Sequence, residues 1–143
     1  MGDVVIGTCS WTDPTMVERW YPRGTSSAEA RLRYYAERFD TVEVDSTFYG
    51  LPRSDYAENW AHRTPDGFTF HVKAYGLMTW HEVDERSLHP ELRDYAYERT
   101  HRGRLRLPEA RMLERTFALF AEALEPLRVA GKLGELRAQP QRL

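Results

Sequence analysis

The stretch from Thr41 to Tyr49 constrains the fold more than any other part of the chain. Its β-branched and aromatic residues alternate with a period of two, the pattern of a strand. Val42 and Val44 share one face, and Glu43 and Asp45 share the other. Two carboxylates on one strand face are costly to bury dry, so that face is expected to open onto a polar cavity. Residues 68–74 repeat the arrangement. Phe68, Phe70, Val72 and Ala74 fall on one face, with Thr69, His71 and Lys73 on the other.

Helical patterns separate these segments. Val4-Val5-Ile6-Gly7-Thr8 reads as a first strand, apolar on both faces as in buried parallel sheets. Ser26 and Glu29 have the spacing of a capping box. Leu32, Tyr35, Ala36 and Phe39 then give a helix over about 28–39. A second helix follows Gly50-Leu51-Pro52-Arg53, with Ser54 or Asp55 as its cap and Tyr56, Ala57, Trp60 and Ala61 as its apolar face. A third is expected to open at Pro108, bury Met112, Leu113, Thr116, Phe117, Phe120, Ala121 and Leu124, and end near Pro126. Residues 76–107 show no clear periodicity and read as a functional or mobile insertion with a basic run around Arg102. Residues 135–143 make a poor strand and read as an aberrant or disordered tail.

Strands alternating with helices specify an α/β fold with a parallel sheet and crossover helices. In such sheets the polar site lies at the carboxyl ends of the strands, where Glu43, Asp45, His71 and Lys73 fall. At 143 residues the chain is long enough for one domain with a real core. A net charge of −2 argues against a strongly basic nucleic-acid binder and leaves a local basic patch open. The single cysteine, Cys9, excludes an internal disulfide and fits a reducing compartment. No stretch resembles a signal peptide or reaches membrane-spanning length, so a cytoplasmic protein without a membrane partner is expected.

Several stretches carry a family likeness: Ile6-Gly7-Thr8-Cys9-Ser10-Trp11, Tyr34-Tyr35-Ala36-Glu37-Arg38-Phe39, Val42-Glu43-Val44-Asp45-Ser46-Thr47-Phe48-Tyr49 and Phe70-His71-Val72-Lys73-Ala74. Together they resemble the domain-of-unknown-function-72, or YecE-like, family from about Val5 to Gly134. The resemblance implies a TIM-type (β/α) barrel with no established activity. It singles out Trp11, Glu43, Ser46, Thr47, Tyr49, Lys73 and His81. Asp45 stands where asparagine is usual in the family, and Cys9-Ser10 replaces the usual Ser-Gly. A complete barrel needs roughly 250 residues. The expectation is therefore a truncated, partial barrel of three to four strands: residues 1–134 as its N-terminal half, and 135–143 as the tail.

The candidate catalytic residues are Glu43, Lys73 and His81, and the candidate ligand-binding residues are Trp11, Asp45, Ser46, Tyr49 and His71. Glu43 and Asp45 suit magnesium or manganese, and adding His71 or His81 would suit zinc or iron, so a divalent metal cofactor is one reading. The other is that both carboxylates pair with Lys73 and arginines inside a polar lumen. Lys73 reads as a charge partner or anion clamp, because adjacent carboxylates oppose the depressed pKa of a nucleophile. Trp11, Phe48, Tyr49 and Trp80 either rim a pocket or pack against one another. The functional expectation is an enzyme-derived domain acting on a phosphorylated or nucleic-acid-like substrate. The alternatives are a non-catalytic small-molecule or partner-binding barrel, and an inactive fragment that self-associates through exposed sheet edges.

Overall fold

The computed structural model describes residues 2–139. In chain order it forms β1 (Gly7–Thr8), α1 (Pro14–Arg19), α2 (Ala28–Ala36), β2 (Thr41–Val44), α3 (Ser54–His62), β3 (Thr69–Lys73), β4 (Val83–Asp84), β5 (Tyr97–Arg99), β6 (Arg104–Pro108), α4 (Ala110–Val129) and β7 (Leu133–Arg137). Strands β1, β2, β3 and β7 build one parallel sheet in that order. Among the described residues it is an open sheet: β1 pairs with β2, and β7 with β3.

The alternation in β2 and β3 decides which way the sheet faces. Val42, Val44, Phe70 and Val72 are buried with Leu32 and Tyr35 of α2, Trp60 of α3, and Met112, Phe120 and Leu127 of α4. Trp60 stacks on Phe70 with ring centroids 6.0 Å apart, and Trp11 meets Trp60 edge-on at 5.6 Å. The opposite sheet face carries Glu43, His71 and Lys73. Tyr35, fully buried, pins the first two strands together. Its hydroxyl donates to the Thr41 carbonyl at 3.0 Å and accepts from the Thr8 amide at 2.8 Å.

Several sequence expectations need correction. The strand expected over 4–8 shrinks to Gly7–Thr8, and Val4, Val5 and Ile6 are exposed at 88%, 54% and 69%. They lead into the edge strand, beyond which the described residues place no other strand, so apolar composition alone gives them nothing to pack against. The insertion is ordered: β4, β6 and β5 make a three-stranded antiparallel sheet, and the basic run is a hairpin between β5 and β6. Arg99 of that run pairs with Glu85, and Arg104 donates to the Glu82 carbonyl. β4 and β5, at two and three residues, are too short to show alternation, and the alternating leucines of β6 are hidden among its arginines.

Pro108 ends β6 rather than opening α4, and α4 runs past Pro126 to Val129. Pro126 lies inside the helix, where it forgoes the amide bond to the carbonyl four residues earlier. Phe117, expected in the apolar stripe, is 47% exposed. Helix α2 stops at Ala36, and its cap is Ser27, which accepts from the Ala30 amide; Glu29 instead pairs with Arg33. Neither Ser54 nor Asp55 caps α3, and Asp55 is held by Arg53. The tail differs most from expectation. Glu135–Arg137 belong to β7 and pair with β3, so the strand crosses the boundary expected at residue 134. Residues 140–143 of that tail lie outside the described residues.

Lys132 explains how such a polar segment joins the sheet. The residue is 5% exposed, and its ammonium donates to the carbonyls of Ala61 at 2.7 Å and Thr64 at 2.6 Å. It thereby satisfies orphan carbonyls at the negative end of α3 and fixes the entry into β7. Burial lowers its pKa below the ordinary lysine value.

Candidate functional site

Parallel pairing puts Glu43 of β2 beside His71 of β3, and Lys73 beside Arg137 of β7. The side chains then meet on the polar face. Glu43 Oε1 lies 3.4 Å from Lys73 Nζ, and Glu43 Oε2 lies 3.4 Å from Arg137 Nη1. The Glu43 side chain is 14% exposed and that of Lys73 is 25% exposed. Three adjacent strands thus converge on one sheltered carboxylate near their carboxyl ends. His71 accepts a hydrogen bond at Nδ1 from the Glu135 amide at 3.0 Å. The approach is close because residue 134 is glycine. A Cβ there would lie 2.6 Å from Thr69 Cγ2 and 2.9 Å from the His71 ring.

Cys9 follows β1 and stands at the edge of this cluster in a shallow cleft of about 200 Å³ shared with Glu43, His71 and Arg137. Partial burial pushes its thiol pKa up, and the negative charge and hydrogen bonding of Glu43 push it further; Lys73 acts in the opposite direction. A thiol held protonated is a poor nucleophile. Cys9 is exposed rather than packed away.

The other candidates divide. Asp45 does not continue the strand face. The strand ends at Val44, and Asp45 takes a helical conformation that turns it into a second cleft with Ser10, Trp11 and Ser46. Trp11 is core as well as cleft wall, at 8% exposure, and its carbonyl accepts from the Tyr21 hydroxyl at 2.5 Å. Tyr49 is 71% exposed and Trp80 55% exposed, beyond the ends of β2 and β3. His81 lies in the same loop region, its Nδ1 2.9 Å from the Thr79 hydroxyl and its ring 5.1 Å from that of Phe48. Thr47, fully buried, donates to the Lys73 carbonyl at 2.6 Å and ties the β2–α3 connection to the end of β3.

Glu43 and Asp45 do not combine with His71 or His81 as a ligand set. Among the described residues no group of three or more His, Cys, Asp or Glu side chains is placed to hold a metal ion. Sequence reasoning missed Arg137 and Arg63. Arg137 falls in a segment that reads as tail, and Arg63 reads as an ordinary charge at the end of a helix. Ser10 carries backbone strain, with φ of 116°, in the region glycine occupies readily. That is the position where the YecE-like pattern has glycine.

The structure is an α/β fold whose parallel sheet is covered by helices on one face and carries a charged cluster on the other. The chain belongs to the family described as "Protein of unknown function DUF72", whose model matches residues 5–141. It is 37% identical over 82 residues to the UPF0759 protein YunF of Bacillus subtilis, covering 57% of this chain and 28% of that protein. It is 33% identical over 70 residues to the UPF0759 protein YecE of Escherichia coli K12, covering 49% of this chain and 23% of that protein. The crystal structure of a DUF72 family protein from Enterococcus faecalis V583 superposes with a TM-score of 0.52 at 24% identity, over 79% of this chain and 35% of that one. The chain therefore spans about a quarter to a third of the length of the relatives it matches. Among the described residues, no helix is long and apolar enough to cross a membrane.

Proposed function

We propose that the parallel sheet is the N-terminal half of a TIM-type barrel, with its polar face turned toward the lumen. In this reading Glu43, Lys73 and Arg137 form part of a site for a phosphate-bearing small molecule. What supports it is one arrangement: a carboxylate 14% exposed, held by two cations from the two strands next in the sheet. An arriving phosphate competes for both cations, because charge-assisted contacts to Lys and Arg suit phosphate oxygens. Once released, Glu43 is free to accept a proton, with His81 in the loop beyond β3 as the second acid–base group. The lone cysteine fits a reducing, cytoplasmic setting.

A second reading, binding without catalysis, draws on the same pair of contacts. While both cations hold Glu43, its carboxylate is not available as a base. Calorimetric titration of the chain with inorganic phosphate and with ribose 5-phosphate tests the proposal. Saturable binding lost in Lys73→Met supports a phosphate site. No binding to either probe, or binding indifferent to Lys73→Met, overturns it. Turnover of a bound phosphate ester that disappears in Glu43→Gln separates the catalytic reading from the binding one.

A further inference from the structure

A second cleft lies on the helix-covered side of the β2 end, with a volume of about 410 Å³. That is within the range of small-molecule sites. At one end stand Asp45 and Ser46. Helix α3 lines its length with Tyr56, Asn59, Trp60 and Arg63, spaced three to four residues apart on one face, and Trp11 closes the inner wall. The rings make an apolar, planar-walled middle.

Two charged groups in this cleft have binding capacity to spare. Among the described residues the Asp45 carboxylate makes no hydrogen bond or ion pair. The Arg63 side chain is only 22% exposed, yet the nearest acid, Glu29, is 4.0 Å away and already holds Arg33 at 2.8 Å. A largely buried guanidinium with donors to spare is an anion-binding group. From Tyr56 to Arg63, the residue that caps α3, the chain rises about 10 Å along one wall of the cleft.

We propose that this cleft binds a nucleoside monophosphate with an amino-substituted base. The base presents its N–H edge to Asp45, its ring lies against Tyr56 and Trp60, and its phosphate reaches Arg63. A carboxylate accepts two N–H bonds from a guanine edge in one plane, and aromatic faces stack any base. The cleft shares no lining residue with the one beside Glu43, and guanosine, which lacks a phosphate, separates the two readings.

The test uses the whole chain, guanosine 5′-monophosphate as probe, and guanosine and ribose 5-phosphate as comparison arms. Binding is followed by calorimetry and by quenching of tryptophan fluorescence. The expected result is saturable binding of the monophosphate that weakens about tenfold in Asp45→Asn. In Arg63→Met the monophosphate and guanosine bind alike. Asp45→Asn preserves shape, so it decides the matter even if Arg63→Met fails to fold. No saturable binding at millimolar probe overturns the proposal. So does unchanged affinity in Asp45→Asn, or binding that vanishes in Lys73→Met and thereby belongs to the sheet cluster.

Discussion

Replacing Lys132 with methionine separates an ammonium that holds the fold from a lysine that is merely tolerated inside it. The ammonium makes three contacts, at 2.7 Å to the Ala61 carbonyl, 2.6 Å to the Thr64 carbonyl and 3.2 Å to the Thr64 hydroxyl. Methionine keeps most of the stem and its packing, so the loss is confined to these bonds. Hydrogen bonds to a charged donor contribute about 1.5–3 kcal/mol each, and an acceptor left unpaired in a buried place costs about 1–3 kcal/mol. Against this stands the cost of keeping a cation in a site that lowers its pKa. The balance is a destabilisation of about 2–4 kcal/mol. Urea unfolding followed by far-ultraviolet circular dichroism measures it. A change below about 1 kcal/mol would refute the claim that this ammonium joins α3 to β7.

Further outcomes follow from the same geometry. Ser10→Gly relieves the positive φ and is expected to stabilise the chain by about 0.5–1 kcal/mol in the same assay, after losing the Thr12 amide contact at 3.0 Å. Tyr21 has its pKa pushed up from 10.0 to about 12, by burial first and then by Tyr35. The folded state therefore keeps this proton longer than the unfolded state. The stabilisation is complete below pH 10 and is lost as pH rises from 10 to about 12. Urea midpoints of wild type and Tyr21→Phe across that window should converge as pH rises. The exposed Val5 and Ile6 on the β1 edge, with Leu136 on the β7 edge, predict self-association. Light scattering behind size exclusion should show concentration-dependent oligomers that Val5→Lys with Ile6→Lys reduces; a wild-type monomer at all concentrations would contradict this.

What could be read from the sequence was set by periodicity. In β3 a period of two held over seven residues and gave both the buried face and the polar one. In β2 the same pattern placed Glu43 rightly but carried one residue too far, because the backbone at Asp45 turns helical and takes that carboxylate off the strand face. The insertion was illegible because β4 and β5 are two and three residues long, and the alternation of β6 lies inside an arginine run that reads as a solvated loop. The tail misled for a different reason. Glu135 and Arg137 are polar because they lie on the charged face of the sheet, so β7 lacks the apolar run expected of a parallel strand. Lys132 gave no local sign of its part, since its partners lie about seventy residues away in the chain.

The central claim is that Glu43 and Lys73 converge beside the end of β1. Cys9, the chain's single thiol, reports on it directly. The measurement is the rate of Cys9 alkylation by iodoacetamide as a function of pH, in wild type, Glu43→Gln and Lys73→Met. Glu43 raises the thiol pKa and Lys73 lowers it. The predicted result is an inflection that moves to lower pH in Glu43→Gln and to higher pH in Lys73→Met. Profiles that coincide in all three proteins would contradict the convergence.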